Sequence, residues 1–171
     1  FLVNTHYLKK QVEDFVNASL LNDKVSIVYE PVLLGTAGTL MANIDFFDGK
    51  DGLLIHADNY CLADFNEFID AHNNRPSNCL LTMMTFKTET PHTCGIIELD
   101  RNNIVKAIHE KVINPPGNLA NGAVYILSKE LVTLLKESKS TLVDFSSQVL
   151  PKLIGKIYTY ETSEIFIDIG V

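Results

Sequence analysis

A chain of 171 residues with 46% apolar and 20% charged residues has the material for one globular domain with a real core, which argues against a disordered chain. A net charge of -7 and the lack of any Lys/Arg-rich run argue against nucleic acid or an anionic membrane surface as the main partner and favour a small ligand. Cys61, Cys79 and Cys94 are odd in number and lack metal-ligand spacing, so neither a disulfide framework nor a zinc site is expected and a reducing cytoplasm fits; no apolar run is long enough for a membrane helix.

The chain opens on "FLVNTH", an apolar run with no Met or polar tail ahead of it, and so reads as starting in mid-fold. "YLKKQVEDFVNASLL" sets Leu8, Val12, Phe15, Val16 and Leu20 on one helical face, and "KVSIVYE" follows as a short β-branched strand. In "VLLGTAGTLMANIDFF" two glycines and two threonines precede a helix expected to run through Leu40, Ile44 and Phe47. Thr36 or Thr39 would cap that helix, or the turn would approach a ligand; it is not a Walker A loop, because no Lys follows the second Gly. The strand "GLLIHAD", the helix "LADFNEFIDAHNN" with Phe65, Phe68, Ile69 and His72 on one side, and the apolar run "CLLTMMTF" come next. Such alternation predicts a mostly parallel sheet covered on both faces, with right-handed crossovers. Beyond Phe86 the pattern changes to a hairpin, "CGIIELDRNNIVKAIHEK", turning at "DRNN". "GAVYILS" is a further strand whose Ser128 caps "KELVTLLKES"; a helix starts at Asp144 or Phe145, with Pro151 near its end, and "KIYTYE" and "IFIDIG" are short strands. No linker or repeat divides the chain.

In an open α/β sheet, ligands bind beyond the carboxyl ends of the strands. Asp58 ends "GLLIHAD" and Asp168 ends "IFID"; brought together they would suit Mg²⁺, which takes one or two carboxylates plus substrate phosphates. Each alone is equally an ordinary cap or turn residue, and only the pair points to a metal. Glu110 and Lys111 end a strand and could grip the hydroxyl and anionic sides of a ligand, or simply solvate a hairpin end. Asn121 and Gly122 put an amide and bare backbone ahead of an apolar strand, groups of the kind that read sugars. His6, His56, His72, His92 and His109 have no ligand-like spacing.

Together "VNTHYL", "LLGTAGTL", "HADNYCLADF", "CGIIELD", "HEKVINPPGNLANGAVYI" and "FIDIG", in this order, resemble the sugar-1-phosphate nucleotidyltransferases, most closely the mannose-1-phosphate guanylyltransferase-like branch. The resemblance implies an α/β, Rossmann-like, mostly parallel mixed sheet with helices on both faces and an antiparallel sugar-binding insert. It implies that Asp58 and Asp168 hold Mg²⁺, that Gly35, Thr36 and Ala37 lie beside the nucleobase and ribose, and that Glu110, Gly95 and Asn121 line the sugar pocket with Lys111 on the phosphate. Val112 stands where "EKP" would have Pro, and "HAD" replaces "NGD" while keeping the Asp. The family's first strand and its Gly-rich loop with Arg and Lys have no counterpart in these residues, so the resemblance implies a single domain over residues 1–171 shortened at the N-terminus and, at Gly170 and Val171, at the C-terminus. That first strand is central in the family's sheet, and its absence should expose ladder groups and apolar surface.

The reaction implied is attack of a sugar 1-phosphate, mannose- or heptose-1-phosphate, on the α-phosphorus of an NTP, GTP by preference, releasing pyrophosphate. Without the triphosphate loop the chain alone is expected to turn over little, and an unpaired sheet edge favours a homo-oligomer. A nucleotide-sugar glycosyltransferase and a non-catalytic sugar-nucleotide-binding subunit are the alternatives. Glu30, ending "VSIVYE", could accept two hydrogen bonds from guanine, or be a solvated strand end.

Overall fold

The computed structural model describes residues 1–138 and 141–169. Its first unit is β1 (Leu2–Thr5), α1 (Lys9–Ala18) and β2 (Ser26–Tyr29), with β1 and β2 paired in parallel. Only part of the helical face expected from Leu8 to Leu20 forms, because Leu8 is left-handed ahead of α1 and Leu20 lies in the turn beyond it; among the described residues that face is little covered, with Val12 and Val16 half-buried, Phe15 76% exposed and no α1 residue buried.

α2 (Gly35–Ala42) is shorter than its periodicity suggests. The Asn43 amide and the Asn43 N–H both donate to the Thr39 carbonyl (2.9 and 3.2 Å) where α2 ends, and Ile44–Phe47 forms a separate 3₁₀ turn before β3 (Gly52–Ile55). β4 (Asn59–Cys61) is followed by α3 (Phe65–Asn73), whose first turn is capped by Asp64 accepting from Asn66 N–H at 2.8 Å. Phe68 and His72 are buried as the spacing predicts, whereas Ile69 remains 46% exposed. β5 (Leu81–Lys87) and the hairpin of β6 (Gly95–Leu99) and β7 (Val105–Glu110) come next. β8 (Leu119–Leu127), α4 (Lys129–Glu137), α5 (Phe145–Gln148), β9 (Ile157–Glu161) and β10 (Phe166–Asp168) complete the fold. Ser128 caps α4 by accepting from Leu131 N–H (3.2 Å), and Asp144 caps α5 by accepting from Ser147 N–H (2.7 Å).

The main sheet has six strands in the order β7-β6-β8-β5-β9, with β3 also on β8. It is mixed. β5 and β9 are parallel, and β8, returning from the hairpin, runs antiparallel to β3, β5 and β6. Side chains alternate across it. Leu81, Met83, Tyr125 and Leu127 meet α2, α4 and Phe145 in one cluster; Met84, Val124 and Ile126 meet Phe68 of α3 in the other. Covering on both faces explains why "CLLTMMTF" is apolar without a break.

Two short ladders stand apart from this sheet: β1 with β2, and β10 with β4. Between β1 and β3 lies a cavity of about 620 Å³, walled by Phe1 to Asn4 and by Gly52 to Ile55, with Leu40, Phe46 and Phe47 also lining it.

Candidate active site

β3 delivers its last residues to the edge of the sheet, where His56 N–H still bonds the Ala123 carbonyl of β8 (3.2 Å). The chain then bends, with Asn59 N–H on the His56 carbonyl (3.3 Å), and enters the small antiparallel ladder in which Asn59 faces Asp168 and Cys61 faces Phe166. Ile169 N–H donates to the Asp58 carbonyl at 2.8 Å. Asp58 and Asp168 are thus neighbours across one ladder, and both are exposed. Among the described residues no cluster of three or more His, Cys, Asp and Glu forms a cage. A carboxylate pair open to solvent is nonetheless a donor set that fits Mg²⁺, which retains waters and accepts phosphate oxygens.

β10 has only three residues, and Phe166 seats it. That ring stacks on Phe86 (centroids 4.4 Å apart, planes 15° apart) and lies over Gly122, where a Cβ would come within 3.0 Å of the ring. The register of β5 against β8 shifts between Met83 and Thr85, so residues 122–124 bulge, with Ala123 at φ 52°. Asn121 does not present a free amide to solvent as the sequence suggests. Its Oδ1 accepts from Ala123 N–H (3.0 Å) and its Nδ2 donates to the Tyr125 hydroxyl (2.8 Å), bracing the bulge from within.

Glu110 and Gly95 face each other across the hairpin, and a Cβ on Gly95 would lie 2.5 Å from Glu110 Oε2, so the glycine leaves room for the carboxylate. Desolvation by the surrounding walls pushes the Glu110 carboxyl above the usual range, with Asp144 adding to the rise and Lys111 opposing it. Lys111 follows in the left-handed conformation (φ 47°), its N–H on the Cys94 carbonyl at 3.2 Å, and is exposed.

The structure adds residues that the sequence reading did not single out for the site. Asp144, held below the usual carboxylate range first by the Ser147 hydroxyl, also accepts from Thr36 Oγ1 at 3.3 Å and interacts electrostatically with Glu110 and His56. Tyr125 is fully buried, its hydroxyl pushed up by burial, and it packs edge-on against His56 with centroids 6.4 Å apart. His56 Nε2 is buried without a hydrogen-bond partner, the kind of orphaned atom that marks a functional locus or a water. The sequence marked Asp144 only as a possible helix start; nothing local marked its role beside Thr36 and Glu110.

The opening glycines turn out to serve a backbone contact. Ala37 and Gly38 N–H groups, at the start of α2, donate to the Val143 carbonyl at 3.0 and 3.4 Å, and Thr36 Oγ1 accepts from Phe145 N–H at 2.8 Å. The expected Thr36 or Thr39 side-chain cap is absent because Val143 takes its place. Gly35 sits at φ +77°, and a Cβ there would collide with the Val143 carbonyl, while Ala37 is wholly buried in the core. The helix N-terminus is therefore filled by protein, and the exposed rim of the loop is Val32 and Leu33. Glu30 is 3% exposed; Thr39 hydroxyl donates to its Oε1 (2.6 Å) and Leu34 N–H to its Oε2 (3.2 Å), so its carboxylate clamps the loop from beneath.

A family model described as nucleotidyl transferase matches residues 1–170, and the chain belongs to that family. Among individual relatives, a putative mannose-1-phosphate guanyltransferase of Sulfolobus acidocaldarius is 29% identical across 99% of this chain and 47% of its own length. A glucose-1-phosphate adenylyltransferase of Mycoplasma mobile is 28% identical across 80% of this chain and 38% of its own. The chain thus spans less than half the length of these curated relatives. The solved structure of HddC from Yersinia pseudotuberculosis superposes with a TM-score of 0.82 at 23% identity, covering 99% of this chain and 72% of that one, which establishes the shared fold.

Proposed function

We propose that this chain carries the metal and sugar-phosphate portion of a sugar-1-phosphate nucleotidyltransferase site, with GTP and mannose- or heptose-1-phosphate as substrates. The observation that carries the reading is the ladder that sets Asp58 beside Asp168 at the carboxyl end of the sheet. A sugar-phosphate oxygen attacks the α-phosphorus; the bond from that phosphorus to the bridging oxygen breaks, and pyrophosphate leaves with the electron pair. The nucleophile is already an anion, so no base is required. Mg²⁺, held by Asp58 and Asp168, would supply charge neutralisation and a template for the phosphates. Lys111 holds the phosphate of the sugar, and Glu110 takes a sugar hydroxyl from the space that Gly95 leaves open beside it. The relatives' names support both guanylyl and adenylyl transfer, and the guanylyl choice rests on the relative that spans nearly all of this chain. A cytoplasmic setting and self-association belong to the same proposal.

Mn²⁺ titration followed by electron paramagnetic resonance, with mannose 1-phosphate present, tests the site. One Mn²⁺ site is expected, weakened tenfold or more in Asp58→Asn and in Asp168→Asn while unfolding midpoints stay in place; unchanged binding in either variant overturns that residue's role. Pyrophosphate release with GTP plus mannose 1-phosphate, against ATP plus glucose 1-phosphate, ranks the substrates. Turnover of a nucleotide sugar without pyrophosphate would point to glycosyl transfer instead.

A further inference from the structure

The two oxygens of the Asp144 carboxylate are unequally used. Oδ1 accepts from both Ser147 N–H (2.7 Å) and the Ser147 hydroxyl (2.6 Å), which fills that oxygen. Oδ2 has one hydrogen bond among the described residues, from the Thr36 hydroxyl at 3.3 Å, and Thr36 is itself fixed by Phe145 N–H at 2.8 Å. Capping α5 needs only Oδ1, and an Asn amide would cap as well. A half-buried carboxylate oxygen therefore keeps acceptor capacity that the cap does not use. Its surroundings belong to the sugar site. Phe145 packs on Tyr125 with ring centroids 5.0 Å apart, and the Tyr125 hydroxyl is met by Asn121 Nδ2 at 2.8 Å and by the Ser146 hydroxyl. Asn121 follows Ala120, which faces Ile96, the residue after Gly95, and Gly95 faces Glu110. Beyond the burial that chiefly raises the Glu110 and Tyr125 groups, the Asp144 charge raises both further.

We propose that Asp144 is a second sugar-reading residue, whose Oδ2 accepts a hydroxyl of the sugar 1-phosphate other than the one Glu110 takes. The inference rests on the sugar-phosphate reading of the site and adds to it a specificity that one carboxylate does not give. An ionised carboxylate only accepts, and the groups that a sugar offers it are hydroxyl donors. Glu110 ends β7 and Asp144 starts α5, so the two acceptors are held by separate elements and test two positions of one ring. A sugar lacking either hydroxyl leaves a partly desolvated acceptor unpaired, which a site of this kind rejects more strongly than it rejects a change of size. A sugar with an acid group at either position meets like charge. The substrate class is thus a sugar 1-phosphate with free hydroxyls at both positions and no acid group there.

The test measures binding of mannose 1-phosphate and its monodeoxy analogues, with Mg²⁺ present, by isothermal titration calorimetry. Asp144→Asn keeps an oxygen for Ser147 and sets an amide donor where Oδ2 was, so the cap survives and the acceptor does not. One monodeoxy analogue is expected to bind the parent chain tenfold or more weakly than mannose 1-phosphate, and that difference should vanish in Asp144→Asn. A different analogue should behave this way in Glu110→Gln. Ser147→Ala, which removes a donor from Oδ1 alone, should lower the unfolding midpoint and leave the ranking of analogues as it is. If Asp144→Asn weakens every analogue alike, or shares its analogue with Glu110→Gln, the assignment of Asp144 is overturned while the sugar-phosphate reading stands. Failure of the parent chain to bind mannose 1-phosphate at all overturns that reading, and this assignment with it.

Discussion

Replacing Gly35 by Ala separates two contributions that the structure assigns to this position. The φ of +77° lies in the left-handed region, where a Cβ costs about 1–2 kcal/mol. The same Cβ would meet the Val143 carbonyl, a backbone atom that cannot swing aside as a side chain can, and overpacking of this kind adds about 1–3 kcal/mol. Gly49 supplies the control, because its φ of +68° imposes the backbone penalty while a Cβ would have nothing within 4 Å. Gly49→Ala should therefore lose about 1–2 kcal/mol and Gly35→Ala about 2–5 kcal/mol. At about 2–4 °C per kcal/mol for a chain of this size, a 3 kcal/mol loss is a drop of about 6–12 °C in Tm. Urea unfolding followed by circular dichroism measures both variants against the parent. Equal losses at the two glycines would refute the packing of α2 on the Val143 carbonyl, and with it the explanation of why "GTAGT" is glycine-rich.

Glu30→Gln should cost about 1.5–3 kcal/mol of stability, the worth of hydrogen bonds to a charged group, and should lower use of every nucleotide alike; a loss confined to GTP would restore a base-reading role. Gly95→Ala should displace the Glu110 carboxylate and raise KM for the sugar phosphate more than it lowers stability, checked by steady-state kinetics beside thermal unfolding. His72, 2% exposed, has its pKa pushed down to about 4, chiefly by burial, against 6.5 when unfolded, so between those values the unfolded chain binds more protons. Stability from the neutral imidazole is full above pH 6.5 and lost as pH falls toward 4, on the order of 3 kcal/mol in all; His72→Asn should flatten this part of the pH profile of unfolding, and an unchanged profile would count against it.

What could be read in advance was what the chain does over short range. Ser128 caps the helix that follows it because the bonded N–H group lies three residues on, within reach of pattern, and the helix start at Asp144 or Phe145 was legible in the same way. Asp58 and Asp168 were legible as strand ends, and their adjacency followed only through the family resemblance. The departures arise where the partner lies far away in sequence. Asn121 looks like a ligand-facing amide until Tyr125 and the bulge at Ala123 occupy it. The cap on α2 is a main-chain carbonyl from Val143, and a carbonyl has no residue type by which to announce itself. Periodicity placed Val12, Phe15 and Val16 on one face of α1, but Leu8 and Leu20 fall outside the helix, and burial depends on a neighbour that, among the described residues, Phe15 lacks.

The ladder of β4 and β10 joins two segments more than a hundred residues apart, Asn59–Cys61 and Phe166–Asp168. A chain emerging from the ribosome cannot assemble the carboxylate pair until Asp168 has followed Asp58 out, with the whole intervening sheet between them. The pair is a non-local contact, with a loop-closure cost met only as the intervening sheet forms. A cation held there would consequently favour the folded chain over the unfolded one, by about 2.7 kcal/mol at a hundredfold excess over its Kd. Ion concentration would then govern the lifetime of the protein as well as its chemistry, and chelation would shorten that lifetime even with no substrate in sight.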